Sequence, residues 1–148
     1  SGTSEVFSNN IGYVGVTPLV FEGSIKENLL YGNNKKISDN DLIELLKEFN
    51  FFNNEDVELS KIISNKSLSS GQLQKISFMR SLLNDCDILL LDESTSNIDD
   101  QSKELIFNIL KNKKITIINA THNHNDFKYD IHLKISIKDS QRVISIHN

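Results

Sequence analysis

Leu68-Ser69-Ser70-Gly71-Gln72, followed farther on by Ile88-Leu89-Leu90-Leu91-Asp92-Glu93, are the stretches on which the reading of this chain turns. The first is a glycine-bearing turn that opens a helix, with Ser69 or Ser70 as its N-cap. Leu73, Ile76, Met79 and Leu83 then recur on one face of that helix. The second stretch is an unbroken apolar run whose tip carries two carboxylates. It reads as a buried strand over 88–91, entered through an Asp85-Cys86-Asp87 turn. Anion-facing helix start and acid-tipped strand together are the layout of a site that handles a nucleotide phosphate and its metal.

Downstream, Asp99 or Asp100 caps a helix that turns Leu105, Ile106, Ile109 and Leu110 inward. The lysines at 111, 113 and 114 suit its C-terminal end, where positive charge meets the helix dipole. The β-branched run 115–119 is a second strand. Both strands are continuously apolar, as in a parallel sheet covered on two faces. The tail changes period: Ile131, Leu133, Ile135 and Ile137 alternate with polar residues, as do Val143 and its neighbours. With Asp139-Ser140-Gln141 between them, these make a hairpin.

Upstream, 11–14 is a short strand entering a loop punctuated by Gly15 and Pro18. Ser24 and Glu27 form a capping box for a short helix carrying Ile25, Leu29 and Leu30, which Gly32-Asn33-Asn34 ends. Ser38 and Asp41 start another helix, with Leu42, Leu46 and Phe49 on one face. The stretch 50–66 is polar and mixed, with a short helix expected near 54–61. There is no internal repeat.

The chain of 148 residues can form one domain with a sizeable core. Its formal net charge of −4, without a dense Lys/Arg block, argues against broad nucleic-acid binding. The single cysteine, Cys86, cannot form an internal disulfide and suits a reducing compartment. No apolar stretch approaches the roughly 18 residues of a membrane span, and no signal peptide opens the chain. Any membrane link is therefore expected to run through another segment or subunit.

Each chemistry-bearing residue also has a plainer explanation. A strand-end aspartate such as Asp92 can help hold magnesium, and Glu93 beside it can orient or deprotonate an attacking water. An acidic pair leaving a strand is also a common solvated turn. Gly71 lets backbone N–H groups approach an anion and Ser69 and Ser70 can donate to it, yet a serine N-cap accounts for the serines as well. His122 follows the second strand and can bond a phosphate or hold a carboxylate; loop histidines are often only surface residues. His124, His132 and His147 have only that surface reading. Cysteine pairs and helical His-x-x-x-His spacing are missing, which argues against zinc.

Taken together, these pieces resemble the nucleotide-binding domain of ATP-binding cassette (ABC) proteins. Residues 68–72 look like the family's signature motif, with Gln74, Lys75, Ile76, Arg80, Leu82 and Leu83 on its signature helix. Residues 88–93 look like the Walker B strand and catalytic glutamate, Ser96-Asn97-Ile98-Asp99 like the D-loop, and His122 like the switch histidine. Gly12-Tyr13-Val14, Pro18-Leu19-Val20-Phe21 and 23–29 are similar to the Q-loop region of exporter-type members. The resemblance implies an α/β fold: a truncated P-loop NTPase (ABC ATPase) core with a mostly parallel sheet, a helical subdomain and a C-terminal β-hairpin. It divides the chain into a tag or lead-in at 1–10 and a partial ATPase domain at 11–148, with the helical subdomain at about 24–80 and the remaining catalytic core at about 85–148.

The sequence departs from the family pattern at three places. None of its 6 glycines is followed by lysine, so the phosphate-binding G-x-x-x-x-G-K-[ST] loop is missing. This portion alone is therefore expected to bind ATP weakly and to be inactive. Val16 stands where the Q-loop glutamine belongs and can neither ligate magnesium nor place a water. Ser70 replaces the first signature glycine.

The resemblance implies the following roles. ATP and Mg²⁺ are the cofactors of the complete protein, with Asp92 holding the metal through water and Glu93 and His122 catalytic. Ser69, Ser70, Gly71 and Gln72 contact the nucleotide of an opposing subunit, and Asp99 bridges the two sites. The implied partners are the transmembrane domain of an ABC exporter, met through 18–27, and a second nucleotide-binding domain in a head-to-tail dimer, with no nucleic acid. The implied location is the cytoplasmic face of a membrane. Two alternatives stay open: a degenerate half that binds or dimerises without hydrolysis, and a soluble ABC ATPase. Without the P-loop strand, the 115–119 edge is expected to be covered by the hairpin, by a second copy through self-association, or by loose contacts.

Overall fold

A computed structural model describes residues 10–53, 56–123, 128–138 and 141–147. Its elements run β1 (Ile11–Val14), β2 (Gly23–Ser24), α1 (Ile25–Leu30), α2 (Asp39–Glu48), β3 (Ile62–Ile63), α3 (Ser70–Leu83), β4 (Ile88–Asp92), α4 (Asp100–Lys111), β5 (Thr116–Ala120), β6 (His132–Lys138) and β7 (Gln141–His147). The fold is α/β. A three-stranded parallel sheet has the order β1-β4-β5, β2 and β3 form a small antiparallel ladder, and β6 and β7 form a C-terminal hairpin. Of the expected hairpin turn, Asp139 and Ser140 lie outside the described residues, as do the lead-in at 1–9 and His124.

The helices begin where side chains can take up the orphan N–H groups of a first turn. Ser24 and Glu27 form a reciprocal capping box on α1, and Ser69 and Gln72 form another on α3. Ser38 caps α2 and Asp99 caps α4. The apolar faces then meet in one core: Ile25, Leu29, Leu42, Leu46, Phe49, Ile76, Met79, Leu89 and Ile106 are each fully buried.

Residues 56–61 do not form the expected helix; they are extended and turning, and lead into β3. Val57 and Leu59 lean on the core. The carbonyls of Lys61 and Leu59 accept from the N–H groups of Ile25 and Lys26 at 3.0 and 3.1 Å. A helix there would turn those acceptors inward and orphan the first turn of α1.

Among the described residues the sheet is covered on one face only, not on two. Gly12, Val14, Leu89 and Leu91 are buried beneath the helices. The opposite face carries Ile11, Tyr13, Ile88, Leu90, Thr116, Ile118 and Ala120, every one exposed or half-buried. Tyr13 is 61% exposed and Ile118 53%. Of the three covers expected for the β5 edge, strand pairing with the hairpin does not occur among the described residues. The hairpin pairs only with itself, and among the described residues no strand lies beyond β5. Leu133, Ile135, Ile144 and Ile146 share a hairpin face through the Leu133–Ile146 and Ile135–Ile144 pairs, and that face is open to water.

Candidate functional site

Two clusters form at the end of the sheet where β4 and β5 stop. The first is built by register. β4 and β5 run parallel with Asp92 beside Ala120, so the turns that leave them begin side by side. At Glu93 the backbone swings into the left-handed region, φ +48°, an unusual conformation for a side-chain-bearing residue and one that gathers at functional sites. The turn is pinned by the Glu93 N–H donating to the Ala120 carbonyl at 2.9 Å. The carboxylate of Glu93 then reaches across to β5's exit, where Oε1 accepts from the backbone N–H of His122 at 2.8 Å. The His122 imidazole lies over the same oxygen, Nε2 to Oε1 3.7 Å, with its side chain 99% exposed. Asp92 stands exposed at the tip of β4 and accepts at Oδ2 from the Tyr13 phenol at 3.2 Å. That bond, more than any burial, holds the phenol above its ordinary ionisation range.

The second cluster joins the start of α3 to the start of α4. A Cβ on Gly71 would meet Asp99 Oδ2 at 3.8 Å and Ser102 Oγ at 3.9 Å, ordinary contact distances. Among the described residues, nothing therefore demands a glycine at 71. Ser69 spends its lone pair on the Gln72 N–H at 3.2 Å. Gln72 accepts from the Ser69 N–H at 3.0 Å and donates to the Phe51 carbonyl at 3.2 Å, so its side chain serves the cap and the neighbouring turn. Ser70, the first residue of α3, is exposed. Lys75, one turn on, is 6% exposed and donates to the Asn50 carbonyl at 3.3 Å. Burial lowers its pKa, and the charge of Asp99 opposes that shift.

Asp99 accepts from the Ser102 N–H at 2.8 Å as the N-cap of α4. Bonding to Ser102 holds its pKa below the ordinary value. A lowered carboxylate stabilises the fold above its unfolded pKa, near 4, and that contribution fades as pH falls through the folded value. Thermal melts of the chain between about pH 2 and pH 6 should therefore show part of the acid limb vanish in Asp99→Asn, while above pH 6 the two proteins differ little because asparagine also caps helices.

Sequence reasoning missed the polar groups that bind α3 to the segment after β1. Gln74, 4% exposed, donates to the Gly15 carbonyl at 3.0 Å. The Arg80 guanidinium donates to the Asn28 carbonyl at 2.9 and 2.7 Å and to the Leu19 carbonyl at 2.9 Å, and lies over the Tyr31 ring. Asn28 is wholly buried and bonds both the N–H and the carbonyl of Phe21. The only advance signal was a set of polar residues placed at helical spacing on otherwise inward faces.

Among the described residues, no group of three or more His, Cys, Asp or Glu side chains could cage a metal. Magnesium, which keeps its waters and binds through one or two carboxylates plus phosphates, fits Asp92 on those terms alone.

An acid-tipped parallel strand, a glutamate held by the exit of the next strand, and a glycine-bearing helix start thus belong to one α/β core. The sequence model of the family described as ABC transporter matches residues 2–96. The chain belongs to that family. It is 34% identical over 146 residues to the ATP-dependent permease MDL1 of Candida albicans, covering 93% of this chain and 21% of that protein. It is 39% identical over 127 residues to the sublancin-168-processing and transport ATP-binding protein SunT of Bacillus subtilis, covering 81% and 18%. It is 35% identical over 127 residues to the glutathione/L-cysteine transport system ATP-binding/permease protein CydD of Haemophilus influenzae, covering 80% and 21%. The chain thus spans about a fifth of the length of these relatives. No helix among the described residues is long and apolar enough to cross a membrane.

Proposed function

We propose that this chain is part of an ATP-hydrolysing domain that powers export through an ABC transporter. The observation that carries the reading is the Glu93 carboxylate, anchored by the His122 N–H at 2.8 Å with the imidazole 3.7 Å away, beside Asp92. In this reading Asp92 holds the water shell of a nucleotide-borne magnesium. Glu93 polarises the attacking water, and His122 orients that water and meets the γ-phosphate. The metal supplies charge neutralisation on the phosphate oxygens. Catalysis is positioning plus charge stabilisation, with no covalent enzyme intermediate.

Ser69, Ser70, Gly71 and Gln72 face the nucleotide of a second domain in a head-to-tail pair, with Asp99 between the two sites. The room left at Gly71 supports this, since the chain's own packing does not explain the missing side chain. Gly71→Ala is expected to leave the melting temperature unchanged or slightly raised. The same change should lower hydrolysis by the complete protein about tenfold or more; equal loss of stability and activity would count against the assignment.

The bare sheet face and the open β5 edge support a phosphate-binding strand, loop and helix contributed from outside this chain. On that view 24–80 is the helical subdomain and 85–148 the remaining catalytic core, and the chain alone binds ATP weakly. Leu19 and Tyr31, 56% and 52% exposed, suit a contact with a transmembrane domain at the cytoplasmic face of the membrane. A second reading, a half that binds without hydrolysing, draws on Val16, which is exposed and offers no polar atom where a glutamine is expected. ATP hydrolysis by the complete protein with and without Glu93→Gln separates them: a large loss supports the first, and equal background rates sink it.

A further inference from the structure

Val16 removes the polar side chain that the segment after β1 would bring to the metal-bearing end of the site, but another residue of the same segment reaches that end. Tyr13 on β1 lies beside Leu90 on β4, two residues short of Asp92 on the same sheet face. Its phenol crosses that gap and donates to Asp92 Oδ2 at 3.2 Å. The path is kept open by Gly15. A Cβ there would fall 2.7 Å from the phenolic oxygen, closer than a Cβ comes, and a tight 3.0 and 3.1 Å from two ring carbons, so the ring would have to shift away from its present place. An aromatic side chain that is 61% exposed is not confined by packing to one of its staggered χ1 wells. Here it takes the one that meets the carboxylate, and the neighbouring glycine leaves room for it.

We propose that Tyr13 is a positioning residue for Asp92, its phenol fixing the strand-tip carboxylate so that the nucleotide's metal meets one set orientation. The inference rests on the ATPase reading of the site. Holding Oδ2 fixes the plane of the carboxylate and leaves Oδ1 to the water shell of the metal. A phenol does this as a neutral donor, without bringing a positive charge to the site. A tyrosine that merely covered the sheet would need its ring and not its hydroxyl. Phenylalanine therefore separates the two roles, since it keeps the ring and loses only the donor.

The test uses the complete protein and a non-hydrolysable ATP analogue, bound with Mn²⁺ and followed by electron paramagnetic resonance, or bound without metal in the presence of a chelator. Tyr13→Phe should weaken binding of the manganese complex about fivefold, the scale of one hydrogen bond to a charged acceptor discounted for solvent. Binding of the metal-free nucleotide should stay within about twofold. Gly15→Ala, which crowds the phenol, should give the same selective loss and add nothing to Tyr13→Phe. Far-UV circular dichroism of each variant checks that the fold is retained. If Tyr13→Phe leaves the manganese complex as tightly bound as before, or weakens both forms equally, the positioning role is wrong while the ATPase reading stands. If the unaltered protein binds no manganese–nucleotide complex, both fall together.

Discussion

Glu93→Gln in the complete protein is expected to cut ATP hydrolysis about a hundredfold or more, within the range measured for losing a positioned general base. Nucleotide binding should change by no more than about threefold. The amide has the shape of the carboxylate, so it can keep accepting from the His122 N–H and preserve the left-handed turn at the end of β4. What it lacks is the charge that draws a proton from water. Binding and chemistry are thereby separated: a variant that binds the ATP analogue normally but fails to release phosphate has lost the transition-state interaction alone. His122→Ala should reduce hydrolysis as well without reproducing the clean split, because the backbone N–H that holds Glu93 stays in place. Steady-state phosphate release measured beside analogue binding provides both numbers.

Arg80→Ala is expected to cost about 3 kcal/mol of folding stability, lowering the melting temperature by about 10 °C. One guanidinium serves the carbonyls of Asn28 and Leu19 together and covers the Tyr31 ring. Its removal leaves the carbonyl of the buried Asn28 short of partners and strips the apolar stem from between α3 and α1. Arg80→Lys should recover less than half, since a single ammonium cannot span two carbonyls in the planar fork that arginine offers. Urea melts of the three proteins decide this. A loss under about 1 kcal/mol would mean that solvent replaces the contacts at little cost. Because Arg80 sits on the helix that begins at Ser70 and grips the segment around Leu19, the same variant in the complete protein should also weaken coupling between hydrolysis and transport.

The parts of this molecule legible in the sequence are those set by neighbours along the chain. The capping box at Ser24/Glu27, the start of α2 at Ser38 and the apolar stripe of α2 are local and stand where the residues place them, and the structure picks Ser69 over Ser70 and Asp99 over Asp100 as the caps of α3 and α4. The meeting of Glu93 with His122 has a related cause: each follows a strand, and adjacent parallel strands bring their ends together. The illegible parts depend on contacts distant in sequence. Gln74, Lys75 and Asn28 carry the polarity of solvent-facing residues, and only the arrival of other backbone carbonyls buries them. The 56–61 segment stays extended because α1 needs its carbonyls. An unbroken run such as Ile88-Leu89-Leu90-Leu91 announces burial but not whether one face or both are roofed. The alternation in β6 and β7 likewise predicted a hairpin without indicating that its aliphatic side would look outward.

The bare face of the parallel sheet has a consequence for how sequence variation in this chain should be interpreted. Ile11, Tyr13, Leu90 and Ile118 have water or half-water for neighbours here, so a mutational scan of these 148 residues alone would score them as permissive. Within a larger assembly that roofs the sheet, the same positions would become interior and intolerant. Their tolerance profile is therefore a reporter of completeness: the gap between the two scans maps, residue by residue, the footprint of whatever lies across that surface.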